Sequence, residues 1–405
     1  MTTIWETLDL VARWIHVIAA IMWVGNSLLF NWLDRSLVKQ AAPGQTSKPV
    51  GTIWLLHSGG FYYVEKTLLE GEKMPPRVHW FMWQAYTTWI TGALLLVIVY
   101  YAGGRAVLAD PSVANLAHWQ AVLIGIGAIL VGRGIYESMQ KVSMQKVSLS
   151  ARVGTAIWMI ALIAIAIALT QLLNGRAAFL HVGAMLATIM AGNVGHTIVP
   201  SQRALVASVK GGASSQELSD RAKRVSIHNN YFTFPVIVLM LISHFPAIYG
   251  HQWNWLLLLI LVAGGAAVRH ALNIRWTSSS WKPVLAASIA VTVVSVWALL
   301  NITPGSASTS AVSVSAGGTP RFEEVRHVID RRCGVCHSDR PTDTSLGRTP
   351  AGVKFDTPQE ILMHAQRIHA RAVVTKTMPP ANKTNITDEE RALIGRWISA
   401  GSPVE

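Results

Sequence analysis

The chain has two cysteines, three positions apart, with a histidine immediately after the second: Cys333-Gly334-Val335-Cys336-His337. This spacing is the attachment signature of a c-type haem, in which two thiols bond the porphyrin edge and the next His supplies an axial iron ligand. A zinc site wants about four ligands, typically a second Cys/His pair, and none stands nearby. A redox disulfide would leave His337 unexplained. The second axial ligand expected is Met378, in Lys376-Thr377-Met378-Pro379-Pro380. A thioether there raises the haem potential, which suits an electron acceptor. One covalent haem c is therefore expected in residues 321–405. Bacteria attach haem covalently outside the cytoplasmic membrane, so this region belongs in the periplasm and everything upstream must agree.

The chain is 51% hydrophobic and only 14% charged, where soluble domains carry about 25% charged residues. It reads as a membrane protein. A net charge of +13 elsewhere suggests nucleic acid. Here the basic residues sit between apolar runs, so no nucleic-acid partner is expected. Eight runs, near 8–32, 80–102, 119–138, 154–173, 177–199, 230–249, 252–271 and 283–302, reach the roughly 20 residues that cross a hydrocarbon core. The fold expected is all-α: an eight-helix transmembrane bundle over 1–302, a flexible Ser/Ala/Gly/Thr-rich linker over 303–320, and a small helical cytochrome c domain over 321–405. An even number of spans puts both termini in the periplasm. Loop charge agrees. The loops assigned to the cytoplasm carry eighteen Lys and Arg, whereas the opposite loops carry only Arg105 and Arg176, a positive-inside bias. The location expected is the bacterial inner membrane, multi-pass. In the last domain, Thr387 and Glu390 form a capping box for a helix that Gly401 closes.

The first and fifth runs echo one another: Trp14-Ile15-His16-Val17 against Phe179-Leu180-His181-Val182. Arg77-Val78-His79 and the stretch Arg224 to His228 open the second and sixth. A four-plus-four duplication accounts for the echoes. At 1.5 Å per residue, His16 and His181 fall in a periplasmic layer, His79, His196 and His228 in a cytoplasmic one, and His244 back on the periplasmic side. Histidines at membrane depth are costly and usually functional. Two readings stand: each hydrogen-bonds a neighbouring helix, or pairs among His16, His181, His79, His196, His228 and His244 clamp a b-type haem between helices, as bundles do. The first cytoplasmic loop, 34–79, is long, and long loops are commonly functional or disordered. It holds Gly59-Gly60-Phe61-Tyr62-Tyr63, where glycines admit close approach and aromatic faces stack on flat rings. His57, Lys66 and His79 offer proton transfer and positive charge to a planar anion. The competing reading is an interfacial helix with an aromatic belt.

Gly59-Gly60-Phe61-Tyr62, the stretch from His79-Trp80-Phe81 to Trp89, Asn193-Val194-Gly195-His196 and His228-Asn229-Asn230-Tyr231 together resemble the bacterial membrane-bound urate hydroxylase (urate oxidase) family. The resemblance spans the membrane portion, and such proteins often carry a C-terminal cytochrome c. It implies oxidation of urate to 5-hydroxyisourate, with electrons leaving through cytochrome c to the respiratory chain and no hydrogen peroxide formed. His57, His79 and Lys66 would then be catalytic. The acceptor would be a periplasmic cytochrome c or terminal oxidase, and a homo-oligomer is possible. The family pattern has an acidic residue at the place of Gln84 and a glycine at that of Ser58, so neither residue can serve as general base here. The first span also resembles small membrane haem proteins linked to protoporphyrinogen oxidation, which favours His16 as a haem ligand. The rival readings are a quinol:cytochrome c electron-transfer module, the membrane cytochrome subunit of another dehydrogenase, and a porphyrinogen oxidase.

Overall fold

The computed structural model describes residues 2–38, 49–67, 75–102, 108–110, 113–143, 148–211, 216–301, 320–343, 350, 353–374 and 376–404. The tether expected at 303–320 lies almost wholly outside them. Among the described residues, nine helices of twelve residues or more form the N-terminal bundle: α1 (Thr2–Ser36), α2 (Met82–Leu96), α3 (His118–Ser143), α4 (Ser148–Leu172), α5 (Gly175–Asn193), α6 (Val199–Lys210), α7 (Gln216–Leu241), α8 (Asn254–Ile274) and α9 (Trp281–Asn301). A π turn, Val194–Ile198, joins α5 to α6 in one long rod. Seven stretches are long and apolar enough to cross a membrane, and Ala156–Leu172 of α4 is a shorter apolar one. The helices outrun the apolar runs. α1 starts at Thr2, the fifth rod continues to Lys210, and α7 begins at Gln216, because polar, helix-favouring ends extend the hydrogen-bond ladder past the apolar core.

α1 packs on α2, α3 on α4, α5 on α3 and α7, and α8 on α7 and α9. The pairings α1/α2 and α5/α7, and α3/α4 and α8/α9, repeat in the two halves, but the close α7/α8 contact has no comparable α2/α3 counterpart. The buried centre is α5, with Phe179, Val182, Met185, Leu186 and Ile189 fully enclosed. α1 and α9 leave most apolar residues uncovered, as helices facing lipid do. Small residues set the closest approach. A β-carbon on Gly265 of α8 would stand 2.9 Å from the Pro235 backbone nitrogen of α7. Gly265→Ala should therefore push α7 from α8 and lower the detergent-solubilised melting temperature, at a cost of about 1–3 kcal/mol. An unchanged melting temperature would contradict this contact.

The long loop differs from expectation. Its described residues hold a β-hairpin and no interfacial helix, so the molecule is not purely α. β1 (Pro49–His57) pairs antiparallel with β2 (Gly60–Thr67), with His57 opposite Gly60 and Trp54 opposite Tyr63. Ser58 (φ 50°) and Gly59 (φ 76°) make the two-residue turn, the positive-φ pair of a type I′ connection. One face carries Trp54, Leu56, Phe61 and Tyr63, all exposed. The base is fastened to α1 by the Val38–Thr52 bridge and by Lys66 Nζ donating to Asp34 Oδ1 at 2.6 Å.

Residues 320–404 form a second core. α10 (Phe322–Arg332) meets α11 (Asp388–Ser399) with the Phe322 and Trp397 rings 5.6 Å apart. The expected cap is present: Glu390 N donates to Thr387 Oγ1 and Thr387 N to Glu390 Oε2. Gly401, at φ +90°, ends α11 with Ser402 N donating to Trp397 O, a Schellman closure. Arg332 grips Glu390 with Nε and Nη2 at 2.9–3.1 Å. Burial raises the Glu390 pKa, but the Arg332 hydrogen bonds, the Thr387 amide and the guanidinium charge outweigh it, so the carboxyl lies below its usual range. Its stabilisation is present above the unfolded-state pKa of about 4.3 and is lost as pH falls through the depressed folded value. Glu390→Gln should destabilise this unit at pH 7, with the gap to the parent closing below about pH 4. A gap that stays constant with pH, followed by thermal melts, would rule out the ion pair as its source.

Candidate functional site

Two regions concentrate chemistry. The first is the hairpin-facing half of the bundle. Tyr136 of α3 donates from Oη to His228 Nδ1 at 2.9 Å, and Gln140 Nε2 reaches the same nitrogen at 2.7 Å. Asn193 at the end of α5 donates to Tyr136 Oη at 2.9 Å and to Asn229 Oδ1 at 2.8 Å, while Asn229 donates to Met190 O at 3.0 Å. Arg133 lies over Gly192, where a β-carbon would come within 2.5 Å of Cζ, and donates from Nη2 to His196 Nδ1 at 3.2 Å. On α7 and α8, Asn230 Oδ1 accepts from Arg269 Nε at 2.9 Å and from Asn273 Nδ2 at 2.8 Å. Arg269 is 2% exposed and lies 5.4 Å from the Phe234 ring centroid. Beside it a cavity of about 310 Å³ opens between α1 and α8, lined among others by Leu28, Asn31, Trp32, Arg269, Arg275 and Trp276.

The histidines separate by the nitrogen that carries the proton. A ring nitrogen facing a carbonyl must be the donor, which leaves the lone pair on the other. His16 Nδ1 donates to Thr88 O at 2.9 Å and His181 Nδ1 to Ala177 O at 2.7 Å. His16 thereby presents Nε2 as an iron ligand does, with the ring oriented from behind, whereas the Nε2 of His181 is already met by Tyr101 Oη. His196 and His228 are reversed: Nδ1 accepts from Arg133 in one and from Tyr136 and Gln140 in the other. Their lone pairs are engaged and neither fits a haem. His244 and His79 are exposed, and His79 meets Phe81 edge-on, with centroids 4.7 Å apart.

His16 and His181 do not share one layer. His16 meets the middle of α2 at Thr88, Thr91 and Gly92. His181 meets its far end, where Tyr101 Oη bonds Nε2 at 3.1 Å, and Gly125 of α3 packs against the ring. The pair does not fit a haem held between them. His16 alone, with Nε2 free of protein partners among the described residues, fits as a single ligand. The proposed catalytic trio is likewise not assembled. His57 is at the hairpin tip and bonds only the adjacent Ser58 at 2.9 Å among the described contacts. Lys66, paired with Asp34, is at the base, six residues of strand or about 20 Å away. The partner of Gln84 is Asn26, at 2.5 Å.

The second region is the thiol pair. Cys333 and His337 lie on one helical turn after α10, with His337 N donating to Cys333 O at 2.9 Å. His337 Nδ1 donates to Val353 O at 3.0 Å, leaving Nε2 for a metal. Met378, half-buried, is held by its backbone, its N–H to Arg371 O and its C=O from Arg391 Nη1 at 2.8 Å. Burial pushes the Cys333 thiol up to about 12. The donor set fits a thioether-bound haem with His337 and Met378 as axial ligands. Among the described residues no cluster of three His, Cys, Asp or Glu could hold a bare ion.

Residues 2–300 match the family described as urate oxidase N-terminal. The chain belongs to that family. It is an oxidoreductase of urate-related oxidation, and its long apolar helices suit a multi-pass membrane protein. No curated protein and no solved structure matches it. Two of the stretches that carry the family resemblance converge in the structure: Asn193 and His196 on one side, His228, Asn229 and Asn230 on the other. Sequence reading had placed Arg269 among the loop cations. Its signal was available, since it interrupts the apolar Ala266-Ala267-Val268 … Ala271-Leu272. The tautomer argument predicts that His16→Ala lowers b-type haem per chain in pyridine haemochrome spectra while His228→Ala does not. Equal b-to-c ratios in both variants would refute it.

Proposed function

We propose that the protein is a membrane-bound urate hydroxylase that converts urate to 5-hydroxyisourate and delivers the electrons to a C-terminal haem c and then to a periplasmic cytochrome or terminal oxidase. Family membership over residues 2–300 carries the reading. The Cys333-Gly334-Val335-Cys336-His337 turn and the orientation of His337 support the electron exit. The overall reaction takes urate and water to 5-hydroxyisourate, two protons and two electrons. Dioxygen is not consumed by the protein itself, so hydrogen peroxide is not a product. When bound, the haems supply one-electron carriers between substrate and acceptor. His16 is the residue placed to hold a b-type haem, and Cys333, Cys336, His337 and Met378 to hold the c-type. The charge bias between the two ends, sixteen to two once the helix residues Arg133 and Arg269 are set aside, supports a cytoplasmic hairpin end and a periplasmic C-terminal domain.

Within the bundle, Tyr136 and His228 are the members of this network that can exchange a proton, at the hairpin end, and Arg133, Gln140 and Asn193 hold them in place by hydrogen bonds. His57, exposed at the turn, is free to meet solvent, and Lys66 anchors the hairpin through Asp34.

Anaerobic urate added to the oxidised, purified full chain should reduce haem c, and turnover in oxygen-18 water should place label in the new hydroxyl. Reduction by quinols but not by urate would instead favour the relay module.

A further inference from the structure

We infer that the cavity between α1 and α8 is the purine site, with Arg269 reading a ring carbonyl and Trp32 and Trp276 holding the ring plane. The inference rests on the urate reading and adds the location and chemistry of binding. Arg269 Nη2 and Asn273 Oδ1 are buried and have no hydrogen-bond partner among the described residues. Asn230 Oδ1 holds Arg269 Nε and Asn273 Nδ2 alike, and of these two side chains Arg269 is the one that lines the cavity. Buried polar groups are ordinarily satisfied, and a lone guanidinium N–H at membrane depth is costly. A ring carbonyl of an oxidised purine would complete the hydrogen bonding of Arg269.

The rest of the wall agrees. Trp32 and Trp276 supply flat apolar faces. Arg275 Cζ lies 3.7 Å and Arg35 Cζ 5.8 Å from the Trp276 ring centroid, which sets two further cations at this end for an anionic ring. No carboxylate lines the cavity among the described residues. The nearest acid in sequence, Asp34, is paired with Lys66. The volume of about 310 Å³ lies at the small end of the roughly 300–1,000 Å³ of small-molecule pockets, which suits a bicyclic heterocycle.

The test is equilibrium dialysis of radiolabelled urate, and separately xanthine, against the detergent-solubilised full chain and its variants, with circular dichroism melts to show folding. Arg269→Gln should weaken urate binding at least tenfold and Arg269→Lys less. The mouth variant Trp32→Ala, which leaves the buried network intact, should weaken it severalfold even if Arg269→Gln fails to fold. Urate binding that is normal in Arg269→Gln and Trp32→Ala would overturn the pocket while leaving the urate reading intact. A parent that binds xanthine in an Arg269-dependent way but neither binds nor oxidises urate would keep the pocket and end the urate reading. A cavity from which phosphatidylglycerol, but neither purine, is displaced would overturn the purine assignment.

Discussion

A guanidinium enclosed among hydrocarbon-facing helices is the constraint around which one end of this molecule is built. Placing such a charge near the middle of an apolar helix costs about 2.5–3.5 kcal/mol on insertion scales and more by other estimates. The protein offsets that at Arg269 with one amide oxygen from Asn230 and the face of Phe234. Both come from α7, which must lie unusually close to α8. Gly265 against Pro235 provides that closeness. Asn229, the neighbour of Asn230, turns the opposite way and ties α7 to α5 through Asn193 and Met190. Two adjacent amides thus fix three helices, and the side chain left incompletely satisfied is the one that a ligand can complete.

The histidines show how one residue type is divided between structural and ligand roles. Six appear equivalent by depth and spacing. What separates them is the group behind the ring. A carbonyl behind Nδ1 protonates that nitrogen and leaves Nε2 for a ligand, as in His16 and His337; in His181 a tyrosine hydroxyl takes that place. A hydroxyl, amide or guanidinium in its place consumes the lone pair and makes the ring a scaffold member, as in His196 and His228.

Much of the architecture was legible because membrane helices announce themselves through long apolar runs, and because the thiol motif, the Thr387 and Glu390 cap and the Gly401 stop are local codes. The hairpin was less legible. Its strands carry aromatic residues on both faces, which blurs the two-residue alternation, and the Ser58-Gly59 turn uses serine in a left-handed conformation that usually favours Asn, Asp or Gly. The shared layer expected of His16 and His181 did not appear, because equal distance from a helix start is not equal depth when one helix begins well outside the apolar zone, as α1 does at Thr2. Arg269 was hidden for a different reason: counting basic residues for orientation treats every one of them as solvated, whereas this one is turned inward by an amide thirty-nine positions away.

Among the helices, α1 is seated mainly on α2, yet it forms a full side of the cavity opposite α8. A wall held along a single seam is free to lean. The surrounding acyl chains press on its uncovered flank, so bilayer thickness and lateral pressure become variables of occupancy, and the same polypeptide will grip its guest differently in thin, fluid lipid than in a stiff detergent belt.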